Sequence, residues 1–86
     1  PFVIDLLQWK NPSDSEAPYS QLNHLGIARI ALYSSDLDAD LAELRERNVE
    51  IVSEPASVIW ENGPSSRFVC FKDPDGTVLE LVQNLS

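Results

Sequence analysis

Glu80 stands in the middle of an apolar run, Val78-Leu79-Glu80-Leu81-Val82, whose β-rich composition reads as a strand. A carboxylate in that setting costs on the order of several kcal/mol unless it is paired with a cation or bound to one. Alternation places Val78, Glu80 and Val82 on one face, with Thr77, Leu79 and Leu81 on the other. The pattern recurs near the start of the chain, where Val3-Ile4-Asp5-Leu6-Leu7-Gln8 matches Val78-Leu79-Glu80-Leu81-Val82-Gln83 position by position, acid on acid. Arg29 interrupts a third strand, Leu25 to Tyr33, whose other face (Ala28, Ile30, Leu32) is wholly apolar. For Glu80 and Asp5 the chemistry open is ion pairing or metal ligation. For Arg29 it is pairing with Glu80 or contact with an anionic group of a ligand, because a guanidinium has no lone pair for a metal.

The elements that must position these groups are legible from turn and cap chemistry. Arg67 to Lys72 and Thr77 to Gln83 are two strands joined by Asp73-Pro74-Asp75-Gly76. The proline fixes φ and Gly76 supplies a positive φ, so the strands form an antiparallel hairpin. Leu37, Leu41 and Leu44 recur at helical spacing and predict a helix from Leu37 to Arg47. Asp36 is its N-cap, Asp38, Asp40 and Glu43 lie in its early turns, and Asn48 takes the left-handed conformation at its end. Val49 to Ser53 reads as a short strand, interrupted by Pro55 and resumed from Ser57 to Trp60 before the Asn62-Gly63-Pro64 turn.

The resulting order is strand, helix, then three strands. This is an α+β fold, a βαβββ module with a mixed four-stranded sheet and one helix, plus an N-terminal strand belonging to a preceding module. The expected division is residues 1–9 as the last strand of a preceding module, 10–23 as a linker rich in Pro and Ser, and 24–86 as the module itself. The helix is expected on the Ile30, Leu32, Leu79 and Leu81 face with all three of its leucines buried. That leaves the Arg29 and Glu80 face in need of another cover. Pairing of two chains through this face, or by exchange of the strand Phe2 to Trp9, would supply it.

Composition narrows the partners. Six basic residues against fourteen acidic ones give a net charge of −8 over 86 residues, which opposes binding to nucleic acid or to anionic membranes. No apolar run approaches the roughly 20 residues of a membrane span. The single cysteine, Cys70, excludes an internal disulfide and reads as a small buried hydrophobe, which fits a reducing cytoplasm.

Ile30-Ala31-Leu32, then Asp36-Leu37-Asp38-Ala39 with Leu41, Leu44 and Val49, and finally Phe71-Lys72-Asp73-Pro74-Asp75-Gly76 leading into Leu79-Glu80-Leu81 resemble the vicinal oxygen chelate superfamily. This group contains glyoxalase I, extradiol dioxygenases and bleomycin resistance proteins. The match covers roughly residues 24 to 84. The resemblance implies paired βαβββ modules around a cupped cavity, with metal ligands drawn from the first and last strands of each. Glu80 occupies the last-strand ligand position, and Asp5 looks like its counterpart from the preceding module. Arg29 stands where metal-binding members carry a histidine, so the only metal-ligand candidate of this module is Glu80, and ion pairing with Arg29 competes for it.

The cavity lining implied is Arg29, Tyr33, Asp5, Trp9 and Glu80. Plain packing is the competing reading for Tyr33, Trp9 and Trp60, a loop position for His24, and solvent exposure for Arg67. The function expected is small-molecule binding without a catalytic metal in this fragment. The ligand is unspecified, and the second module comes from the same or another chain, as in a dimer. The alternative is part of a metal-dependent glyoxalase-like lyase or isomerase, or a dioxygenase. Its zinc, nickel or iron would be held by ligands in the missing module, so whether the complete protein is an enzyme stays open.

Overall fold

The computed structural model describes residues 4, 6–18, 20–23, 25–26, 29–59, 61–63 and 65–85. Its elements are β1 (Arg29–Tyr33), α1 (Leu37–Glu46), β2 (Ala56–Val58), β3 (Ser65–Lys72) and β4 (Val78–Leu85). The four strands form one mixed sheet in the order β1-β4-β3-β2. β1 runs parallel to β4, and the two other pairs are antiparallel. This is the α+β, βαβββ arrangement expected from the sequence.

The hairpin turn is built as its residues dictate. Asp73 accepts from the backbone N–H of Asp75 at 3.0 Å and of Thr77 at 2.8 Å through one carboxylate oxygen. Gly76 has φ 94 and donates its N–H to the Asp73 carbonyl at 3.0 Å. The turn fixes the register, setting Lys72 opposite Val78 and Cys70 opposite Glu80.

At the helix start, the Asp36 side chain accepts from the N–H of Ala39 at 3.1 Å, and Asp38 and Asp40 occupy the first turn. A second tie comes from β4. Gln83 accepts from the N–H of Leu37 at 2.8 Å and donates to the Ser35 carbonyl at 3.2 Å, fastening the helix entrance to the sheet. Asn48 ends the helix at φ 60. Replacing Asp36 with Ala removes one of these two N-terminal partners and is expected to cost about 1 kcal/mol. An unchanged urea midpoint would show that Gln83 carries the helix start alone.

Leu37, Leu41 and Val69 form the buried cluster, with Ile51 and Leu81 packed against it. The helix therefore lies on the Leu81 side of the sheet, away from Glu80. Leu44 corrects the expectation of three buried leucines. It is half-buried and outside the cluster, because the apolar set facing the helix closes over its first two turns only.

Strand boundaries also differ: β3 begins two residues earlier, at Ser65, and β4 runs on to Leu85. The described part of β1 is Arg29–Tyr33, and Leu25 and Gly26, expected in the strand, lie in a bend with Gly26 at φ 103. The strand read from Val49 to Ser53 is reduced to a single bridge between Ile51 and Phe71, and the resumed segment is Ala56–Val58. Among the described residues of the N-terminal segment, Ile4 and Leu6 to Lys10 carry no strand pairing and are exposed. Alternation alone cannot make a strand without a neighbour to complete its hydrogen bonds.

Candidate functional site

Directly opposed residues of paired strands share a face, so Arg29, Ala31 and Tyr33 of β1 lie with Val78, Glu80 and Val82 of β4 and with Phe68, Cys70 and Lys72 of β3. This is the face turned away from the helix. At its centre the Nη2 of Arg29 lies 3.9 Å from the Oε1 of Glu80, and the Nη1 of Arg29 donates toward the Sγ of Cys70 at 3.8 Å. The carboxylate side chain is 11% exposed and the guanidinium side chain 44%, so arginine overhangs a nearly buried acid. Val78 and Cys70 beside them are buried. The charge of Glu80 is thus offset across the β1–β4 pair, as the ion-pair reading of that strand requires.

The other residues of interest are dispersed. Tyr33 is on the same face at the far end of β1 and is largely exposed. Trp9 lines an open cleft of about 1360 Å³ between the N-terminal segment and the hairpin turn, with Pro12, Pro18, Pro74 and Asp75, and neither Arg29 nor Glu80 lines that cleft. Asp5, His24 and Trp60 lie outside the described residues.

Arg67 points to the helix side and grips Asp38 through two contacts of 3.3 and 3.2 Å. It is a clasp between β3 and α1 rather than a solvent-exposed group. Lys72, on the Glu80 face, pairs with Glu50 at 3.0 Å.

Cys70 is the participant that composition did not reveal. It is buried, as a small hydrophobe would be, yet its thiol also meets the guanidinium. The hairpin register was the signal for it, since the Asp73 to Gly76 turn sets Cys70 against Glu80.

A divalent cation finds a poor donor set here. Glu80 offers a carboxylate and Cys70 a thiol, but the fixed charge of Arg29 lies within 4 Å of both. Among the described residues there is no group of three or more His, Cys, Asp or Glu placed to hold a metal. As they stand, these residues do not fit a metal centre, and no chemistry is derived through one. Among the described residues, no helix is long and apolar enough to cross a membrane.

The module has counterparts in known proteins. The chain is similar to the glyoxalase family protein of Bacillus cereus, at 24% identity over 87% of this chain and 48% of that one, with a TM-score of 0.67. It is also similar to the glyoxalase family protein of Enterococcus faecalis, at 28% identity over 78% of this chain and 50% of that one, with a TM-score of 0.61. A third likeness is a superfamily member from Sphaerobacter thermophilus, with 33% identity over 63% of this chain and 40% of that one and a TM-score of 0.51. The chain spans about half the length of the first two structures. No curated protein sequence matches it. The family model for the Glyoxalase/Bleomycin resistance protein/Dioxygenase superfamily matches residues 1–81, and the chain belongs to that family.

Proposed function

We propose that this chain is a small-molecule-binding module whose ligand lies on the Arg29 and Glu80 face, without a catalytic metal held by its own residues. The observation that carries the reading is the Arg29 guanidinium lying over Glu80 and Cys70 at the centre of the sheet face turned away from the helix. A charged pair placed there recognises a polar group, while the half-buried Val82 and Phe68 accept an apolar body. The open side of the face is closed by a second βαβββ module, from the same or another chain. In the complete protein, residues 1–9 pair as the last strand of a preceding module and 10–23 link it to this one. The reducing setting suited to the unpaired Cys70 is the cytoplasm.

The half-length match to the solved relatives favours a second reading, in which the remaining module brings metal ligands and the complete protein is a lyase, isomerase or oxygenase. Metal titration of the full-length protein separates the two. For the chain itself, sedimentation at micromolar concentration is expected to give a dimer, because the exposed Leu6, Leu7 and Trp9 call for a partner. A strictly monomeric species would sink the pairing, and ligand-induced shifts confined to the Trp9 cleft would sink the placement of the ligand.

A further inference from the structure

We infer that the ligand group recognised at Arg29 and Glu80 is electrically neutral and carries a hydrogen-bond donor beside an acceptor, as a carboxamide, lactam or urea does. This rests on the reading of that face as the ligand surface and adds the chemical class. The argument begins from the separation of the pair. At 3.9 Å between Nη2 and Oε1, the two charges offset each other. They are nevertheless too far apart for the direct charge-assisted hydrogen bond of about 2.7–2.9 Å. Neither group spends its hydrogen-bonding capacity on the other. The contact of Nη1 with the Cys70 sulfur at 3.8 Å uses a weak acceptor and leaves the guanidinium able to donate elsewhere.

Charge balance then selects the ligand. The second cation of this face, Lys72, is held by Glu50 at 3.0 Å, so the described residues give the face no net charge beyond the Arg29 and Glu80 pair. An anionic group accepting from Arg29 would bring its charge against the carboxylate of Glu80, which is only 11% exposed and poorly screened. A cationic group donating to Glu80 would meet the guanidinium in the same way. A carboxamide accepts from Arg29 through its carbonyl and donates to Glu80 through its N–H, and the site stays neutral. Its apolar remainder lies along the half-buried Val82 and Phe68, which share that face.

The test is a two-dimensional amide NMR titration of the full 86-residue chain with three probes of one shape: benzamide, benzoate and benzylammonium. Benzamide is expected to bind at least about tenfold more tightly than either charged probe. Its shifts should centre on Cys70, Val78 and Glu80. In Glu80→Gln, which removes the buried charge but keeps the shape, the preference is expected to pass to benzoate. Binding of a charged probe at this face as tight as that of benzamide, or an unchanged preference in Glu80→Gln, overturns the inference while the face remains a ligand surface. Absence of binding by all three at this face overturns both the inference and the ligand surface on which it rests.

Discussion

Replacing Arg29 with His is expected to turn a face that repels divalent cations into one that binds zinc. In the present chain a cation beside Glu80 would meet a guanidinium within 4 Å, a like-charge contact costing about 1–4 kcal/mol depending on solvent access. The substitution removes that charge and adds an imidazole nitrogen on the same strand face as Glu80 and Cys70, which oppose each other across β3 and β4. One His, one Cys and one Glu make up a three-ligand set of the kind zinc accepts, with the fourth position left to water. Removing the repulsion alone is worth about fivefold to nearly a thousandfold in affinity, and the new ligand adds to this. Calorimetry with zinc should show one site per chain in Arg29→His, weakened in the double variant with Glu80→Ala. An equally tight site in the unsubstituted chain, lost in Glu80→Ala, would reverse the metal-free reading and put the enzyme first.

The second large effect concerns the helix. Leu37 is 0% exposed and meets Leu41 and Val69, so Leu37→Ala leaves a cavity that neither the first helical turn nor the sheet can close. Such deletions cost about 2–5 kcal/mol. Domains have about 0.05–0.15 kcal/mol of stability per residue, so a chain this short loses a large part of its margin. Leu44→Ala provides the contrast. Its side chain is half-buried outside the cluster, and its loss should be less than half that of Leu37. Equal shifts of the urea midpoint in the two variants would mean that the helix packs evenly along its length, against the arrangement described.

These contrasts show where sequence reading reached and where it stopped. The hairpin was legible because Pro74 and Gly76 restrict the backbone itself, and restrictions of that kind do not depend on the rest of the fold. Asp36 and Asn48 mark the helix ends for the same reason. The segment after the helix was read less well. Ile51 has the right residue type for a strand, yet it makes one bridge to Phe71, because pairing along an edge depends on the neighbouring backbone rather than on local preference. The half-burial of Leu44 was hidden too, since periodicity gives a direction and not the extent of the surface that meets it. At the site, alternation was enough to bring Arg29 and Glu80 to one face. Cys70 needed the register as well, which the turn supplied. Trp9 could not be placed by any local rule, because the segment that carries it has no partner strand among the described residues of this chain.

The strand order has a consequence for how the chain comes to be folded. β4 lies between β1 and β3, and Arg29 pairs with Val78, so the earliest strand of the sheet has no neighbour until the latest one has been made. During synthesis β1 and α1 leave the ribosome before β4, the strand of this sheet that both of them meet, has been made. The local β3–β4 hairpin must form before the parallel pair can close, and that closure joins distant segments at the entropic cost of a long loop. Until then Leu37 and Leu41 stay exposed together, which makes the nascent chain a ready client for a chaperone. A ribosome stalled before Val78 would therefore hold an unpaired β1 and an undocked helix, and the Arg29 side chain would still be waiting for the carboxylate that completes its site.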